Sequence, residues 1–176
     1  MAVDLEAAAQ RFAAAGVARL GTASAGGRPH LVPITFALIS QGLIVSAVDH
    51  KPKRTTALRR LTNIAANPSV CVLADAYHDD WEQLWWVRAD GRARVLGPDR
   101  GDPLWAAAVE ALVSRYRQYA STRPQGEIVV IFVERWSWWS AADGAGSGMP
   151  DPATNFVDNP GRQTYGFADG QHDQQR

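Results

Sequence analysis

The residues of this sequence best suited to binding a ligand form a basic cluster at positions 50–60, HKPKRTTALRR. Five of the 18 Lys and Arg residues lie within these eleven positions, although the chain has as many Asp and Glu residues and no net charge at pH 7. No acidic residue occurs from Lys51 to Ala74. Basic side chains beside a helix N-terminus favour a bound phosphate. The cluster is therefore a candidate phosphate site, and a solvated basic helix face is the alternative.

Tryptophans are concentrated in two segments, WEQLWWVR at 81–88 and RWSWWS at 135–140, which hold six of the seven. Tryptophans in strands usually pack in a core or an interface. The functional alternative is that one or two of them form the wall of a slot for a planar ring.

Other kinds of site find no support in the residue pattern. Cys71 is the only cysteine, so neither an intrachain disulfide nor a cysteine-based zinc site is expected. The four histidines have no metal-ligand spacing, and no Ser-His-Asp or Cys-His arrangement is recognisable. We therefore predict no metal and assign no catalytic residue. A phosphate site without a nucleophile or an acid–base pair favours a cofactor that does its own chemistry, such as a flavin.

The overall charge of the chain also argues against two classes of function. Zero net charge and a pI near 6.9 argue against a general binder of nucleic acid or of membrane surfaces. No run of about 18 uncharged apolar residues is present, so no membrane span is expected. We predict a cytoplasmic protein.

The spacing of apolar residues predicts a mainly β (α+β) domain at residues 1–140. Spacings of three and four predict helices at 4–15, 53–66 and 104–119. Apolar runs bounded by turns predict three strands within 17–48 and further strands at 69–77, 84–96 and 127–140. These elements predict a six-stranded antiparallel sheet closed into a small barrel with peripheral helices. Residues 141–176 are rich in Gly, Pro, Asp, Asn and Gln and are predicted to form a flexible tail.

The predicted second strand, HLVPITFAL, has two unlike faces. Its alternate residues form one continuous apolar row, which predicts the core face: Val32, Ile34, Phe36 and Leu38. The other row contains mostly smaller side chains, including Pro33 and Thr35, and is suited to a flat ligand. Pro33 has no backbone N–H, so this strand is predicted to be irregular or at an edge.

Three motifs resemble those of the pyridoxamine-5'-phosphate-oxidase-like split β-barrel family, which binds FMN or coenzyme F420. They are GTASAGGRPHLVPITF, RRLTNIAANPSVCVL and WVRADGRARVL, and the similarity covers about residues 5–140. It is closest to the F420-dependent branch. The resemblance implies a split β-barrel that forms a homodimer, with two cofactor sites at the interface.

The resemblance also implies roles for individual residues. Arg60, eight positions before the proline of the NP motif, is expected to bind the cofactor phosphate, with Arg59 beside it. Lys51, Lys53 and Arg54 are alternative ligands for the phosphate. The cofactor ring is expected to contact Pro33, Thr35 and Ser46 of one subunit. Trp86 of the second subunit is expected to contact the same ring.

The implied function is an F420-dependent oxidoreductase that transfers a hydride between the deazaflavin and a small unsaturated or quinone-like substrate. The five basic residues suit the acidic tail of F420 better than a single FMN phosphate. The alternatives are an FMN-dependent oxidoreductase of the same fold and a non-catalytic module for a flavin or a haem-like ligand. The chain has ERWSWWSA where the oxidases have a basic and aromatic C-terminal signature, so pyridoxamine phosphate is not the expected substrate.

Overall fold

The computed structural model describes residues 5–48, 58–143 and 156–158. Within them the helices are α1 (Leu5–Ala14), α2 (Arg59–Ala66), α3 (Pro103–Arg115) and α4 (Arg117–Ser121). The strands are β1 (Ala18–Ala23), β2 (Pro29–Ile34), β3 (Ala37–Ser40), β4 (Leu43–Ala47), β5 (Ser69–Ala76), β6 (Trp85–Leu96), β7 (Ile128–Ser140) and β8 (Phe156–Asp158).

These strands form a single antiparallel sheet in the order β2-β1-β5-β6-β7-β4-β3, and β8 pairs with β7. The mainly β character and the antiparallel pairing are confirmed, but the prediction of six strands is wrong. The predicted second strand divides at Thr35, because β2 pairs with β1 whereas β3 pairs with β4 at the other end of the sheet. Both halves keep the same alternation of side chains, so the division leaves no mark on the apolar pattern. The additional short strand β8 comes from the segment predicted as a tail, most of which lies outside the described residues.

The two edge strands of the sheet are consecutive in the chain. Only Thr35 and Phe36 separate the end of β2 from the start of β3. A link of this length spans at most about 11 Å, so the sheet must curve until its two edges approach each other at this point. No ladder joins β2 to β3 among the described strands. The sheet is therefore a barrel that is split between β2 and β3.

The inner face of the barrel contains the larger hydrophobic core. Phe12 of α1 packs against the ring of Phe36 at 4.8 Å between centroids and against Trp136 at 5.1 Å. All three side chains have no exposed surface. The predicted core row of the second strand is confirmed for Ile34 and Phe36, which are buried in this cluster.

A second core lies on the outer side of the sheet, beneath α3. Trp105 and Leu112 of α3 pack there with Val45 of β4 and Val130 of β7. The predicted helix at 104–119 is interrupted, because Tyr116 has an extended backbone (φ −117°, ψ 120°) between α3 and α4.

The hydroxyl of Tyr116 completes the backbone hydrogen bonding at the split. It accepts from the Phe36 N–H at 3.0 Å and from Arg115 Nε at 3.1 Å. Its own hydrogen is shared between two acceptors, the Phe36 carbonyl at 2.9 Å and the Gly16 carbonyl at 3.1 Å. A phenol has one donor and two acceptor positions, so all of them are used. One side chain thus satisfies both backbone groups of Phe36 in the link between β2 and β3.

The longest ladder, between β6 and β7, contains an irregularity that requires glycine. The register shifts between Asp90 and Gly91. A Cβ at Gly91 would lie 2.1 Å from the Phe132 carbonyl oxygen. The two strands can approach this closely only because residue 91 has no side chain.

We expect Gly91→Ala to destabilise the fold by about 3 kcal/mol, because the added methyl group must displace backbone of β7. Gly97→Ala is the matched control, since nothing lies within 4 Å of a Cβ at that position. Urea unfolding of both variants measures the difference. Equal midpoints for the two variants would contradict the assigned close approach.

We expect Tyr116→Phe to lower the free energy of unfolding by about 1–3 kcal/mol, because the buried N–H and C=O of Phe36 lose their partner. Tyr77→Phe is the control: Tyr77 is 64% exposed, and surface changes of this kind cost at most about 0.5 kcal/mol. The same urea titration tests this prediction, and a Tyr116→Phe variant as stable as the control would show that the hydroxyl does not support the split.

Candidate functional site

The structure brings together Thr35 and Ser46, two of the residues predicted to contact a cofactor ring. Ser46 Oγ donates a hydrogen bond to the Thr35 carbonyl at 2.8 Å. Ser46 lies in β4 opposite Val129 of β7 and is only 3% exposed. Its hydroxyl hydrogen is committed to Thr35, so Ser46 supports the link between β2 and β3 from inside the barrel.

The hydroxyl of Thr35 has a partner that the sequence did not indicate. Thr35 Oγ1 lies 2.9 Å from the hydroxyl oxygen of Tyr119 on α4. The ring of Tyr119 meets that of Tyr116 edge to face, with centroids 5.7 Å apart and planes at 80°. Both tyrosines lie within the predicted helix at 104–119, and its spacing of apolar residues assigns them no further role. Their partners lie 80 and 84 positions away in the chain, so local spacing carried no signal for these contacts.

Pro33 and Trp86 share the outward face of the sheet but do not lie next to each other. Pro33 is exposed and faces Arg19 across the β1–β2 ladder. Arg19 forms an ion pair with Asp75, and Asp75 faces Trp86 across the β5–β6 ladder. Strands β2 and β6 are three strand spacings apart, which is about 14 Å across the sheet. The residue of β6 level with Pro33 is Arg88, and Trp86 lies two residues further along the strand, so Pro33 and Trp86 do not meet within one chain.

The described part of the basic cluster begins helix α2. Arg59 is exposed and Arg60 is half-buried, and both are in the first turn. That turn contains no acidic residue, and Leu58 at the N-cap provides no side-chain hydrogen bond. Lys51, Lys53 and Arg54 lie outside the described residues, so their expected role stays a prediction.

Helix α2 is fixed to the barrel by a buried polar contact. Asn63 Nδ2 donates to Thr22 Oγ1 of β1 at 3.0 Å, and both residues are 5% exposed. Ile64, the next residue, packs in the inner core. Asn63 therefore determines where the two arginines at the start of the helix are held. Asn63 belongs to the RRLTNIAANPSVCVL motif, but its partner Thr22 is 41 positions away and has no local signal in the sequence.

The outward face beside this site is charged and contains no activated thiol. Asp90 accepts from Arg88 Nη2 at 3.0 Å and lies 3.5 Å from Arg135 Nη2. Its cross-strand neighbour is Cys71. Burial raises the pKa of the Cys71 thiol, and the negative charge of Asp90 raises it further. Cys71 therefore remains protonated at neutral pH and is a poor nucleophile.

The part of the chain that the structure describes contains no group of three or more His, Cys, Asp or Glu side chains placed to hold a metal ion. No helix within it is long and apolar enough to cross a membrane.

Solved structures share this fold at low sequence identity. A conserved hypothetical protein of Mycobacterium tuberculosis is 17% identical, with a TM-score of 0.65 over 85% of this chain and 92% of that one. A haem-binding protein of Mycobacterium smegmatis is 21% identical, with a TM-score of 0.64 over 88% of this chain but only 57% of that one. An FAD-binding protein of Mesorhizobium loti is 20% identical, with a TM-score of 0.58 over 78% of this chain and 95% of that one.

Comparison with curated proteins found no match. The sequence model of one family does match, and it covers residues 5–140, which contain the four helices and strands β1 to β7. That family is described as pyridoxamine 5'-phosphate oxidase, and its range includes the link at Thr35, helix α2 and Trp86. The resemblance inferred from the three motifs is confirmed, and the chain belongs to the pyridoxamine 5'-phosphate oxidase family.

Proposed function

We propose that this protein is an oxidoreductase that binds a phosphate-bearing deazaflavin, coenzyme F420, at the split between β2 and β3. The observation that carries the proposal is the position of the matched RRLTNIAANP motif, which starts α2 with two arginines and no acidic residue. The FAD-binding protein of Mesorhizobium loti has the same fold and supports a cofactor of the flavin type.

The start of α2 suits a phosphate group. The first N–H groups of a helix have no partner within it, and the helix dipole favours an anion there. Arg59 and Arg60 add cationic donors at the same end. The Asn63–Thr22 hydrogen bond holds the helix in place, so little rearrangement is needed before an anion binds.

The ring of the cofactor is assigned to the link that follows β2. Pro33 offers a flat, exposed surface, and Thr35 is held by Ser46 and Tyr119. Trp86 is too far from Pro33 within one chain to meet the same ring. We therefore propose a homodimer in which Trp86 of the second copy closes the site.

A bound deazaflavin supplies hydride transfer, and the substrate class that we propose is a small unsaturated or quinone-like compound. The chain's own residues bind and orient the two molecules. FMN is the alternative cofactor, but five basic residues at 50–60 suit the acidic tail of F420 better than one phosphate.

A non-catalytic module for a flavin or a haem-like ligand is the second candidate function. It is favoured by the haem-binding protein of Mycobacterium smegmatis, which has the same fold. The two candidates differ in whether a bound, reduced cofactor passes its electrons to a second molecule.

We expect the purified protein to bind F420 more tightly than FMN, by about tenfold, because extra charge-assisted hydrogen bonds form with the acidic tail. Quenching of cofactor fluorescence measures both dissociation constants. Replacing Lys51, Lys53 and Arg54 together by Ala should remove the preference for F420 and leave FMN binding unchanged. Tighter binding of FMN by the unaltered protein would overturn the choice of F420.

Oxidation of reduced F420 by menadione in the presence of the protein tests the activity itself. We expect the rate to increase in proportion to protein concentration. Binding of F420 or haem without any such increase, across a panel of quinones and enones, would favour the non-catalytic module.

We expect Arg59→Ala and Arg60→Ala each to weaken cofactor binding by about tenfold, because each removes a charged donor from the phosphate. Arg28→Ala is the control, since Arg28 is an exposed residue of the β1–β2 hairpin. The affinity is measured by the same titration. Affinities equal to that of the control would remove both arginines from the phosphate site.

A further inference from the structure

We propose that Tyr119 is a positioning residue: its hydroxyl donates to Thr35 Oγ1 and thereby directs the hydroxyl hydrogen of Thr35 toward the acceptor edge of the bound ring. This inference rests on the proposed function, because Thr35 must be at the ring. It adds a residue of α4 to a proposed site otherwise built from β2 and the link after it, β4, α2 and, from the second copy, β6.

We infer the direction of the hydrogen bond from the relative acidity of the two hydroxyl groups. Thr35 Oγ1 and the Tyr119 oxygen are 2.9 Å apart, and either atom can be the donor on distance alone. A phenol is more acidic than an aliphatic alcohol and is the better donor of the two. When Tyr119 donates, Thr35 uses an acceptor position and keeps its own hydrogen for another partner.

The backbone on which the Thr35 side chain is mounted is held in place. Its carbonyl is already held by Ser46 Oγ at 2.8 Å, and the next residue, Phe36, is held through both backbone groups by Tyr116. The backbone of the link therefore cannot turn freely. The Thr35 hydroxyl is therefore a preorganised hydrogen-bond donor. Such a donor stabilises charge that develops on the ring without first having to reorient.

Tyr119 itself is held in position by contacts with Tyr116. Its N–H donates to the Tyr116 carbonyl at 2.9 Å, and its ring packs edge to face against Tyr116. The hydroxyl of Tyr116 in turn bonds to Phe36. The two tyrosines thus form one unit, in which Tyr116 fixes the backbone of the link and Tyr119 orients its one polar side chain.

A double-mutant cycle on the full chain separates this role from simple packing. The variants are Thr35→Val, which keeps the branched shape without the hydroxyl, Tyr119→Phe, and the two combined. Tyr77→Phe is the matched control for loss of an exposed phenolic hydroxyl. Each protein is titrated with F420 and with FMN, and the visible absorption band of the bound cofactor is recorded together with the midpoint of thermal unfolding.

We expect Tyr119→Phe and Thr35→Val each to weaken binding about three- to tenfold and to shift the absorption band of the bound cofactor in the same direction. The double variant should be no weaker than Thr35→Val alone, because Tyr119 acts through the Thr35 hydroxyl. Thr35→Ser, which restores a hydroxyl, should recover most of the affinity and the band position.

Three results would overturn the positioning role: additive losses in the double variant, a Tyr119→Phe variant that matches Tyr77→Phe in affinity and band position, or a lowered unfolding midpoint with an unchanged band. In each of these the unaltered protein still binds a cofactor, so the proposed function survives. If the unaltered protein binds neither F420 nor FMN, the proposed function fails and the positioning role fails with it.

Discussion

The two-residue link between β2 and β3 is the constraint on which the rest of this structure depends. Thr35 and Phe36 join the two edges of the sheet, where no neighbouring strand can satisfy their backbone groups. Leaving a buried N–H or C=O unsatisfied costs about 1–3 kcal/mol. The Tyr116 hydroxyl removes that cost at Phe36, and Ser46 does so at the Thr35 carbonyl. Closure of the barrel therefore depends on side chains from β4 and from the end of α3.

The same link explains why the candidate site has its present form. A residue in a regular ladder has its backbone occupied by neighbouring strands, whereas Thr35 is held by side-chain hydroxyl groups and is only half-buried. The start of α2, where we propose that the phosphate binds, has a different anchor, the buried Asn63–Thr22 hydrogen bond between α2 and β1. Two polar contacts made within the barrel thus hold the two elements to which we assign the ring and the phosphate of the proposed cofactor.

The spacing of apolar residues was sufficient to predict most helices and strands. It was not sufficient to predict the two points at which a predicted element is interrupted. The predicted helix at 4–15 corresponds to α1, and the predicted last strand corresponds to β7. Pro33 predicted an edge or irregular strand, and β2 is indeed an edge strand of the sheet. The break at Thr35 and the extended conformation of Tyr116 were missed, since neither of these two residues is itself a glycine or proline. Both breaks are set by which distant strand or helix the chain meets next, and that choice has no local periodicity.

By itself the sequence determined the family, the location of the basic cluster and the apolar rows that form the two cores, because these properties depend on residue type and on short spacing. Only the tertiary structure decided that Thr35 meets Ser46 and Tyr119, that Asn63 meets Thr22, and that Pro33 and Trp86 are three strands apart. The Thr35–Tyr119 contact joins residues 84 positions apart. Such contacts exist because the sheet curves until its edges meet, and no stretch of sequence short enough to be read as a motif contains both partners.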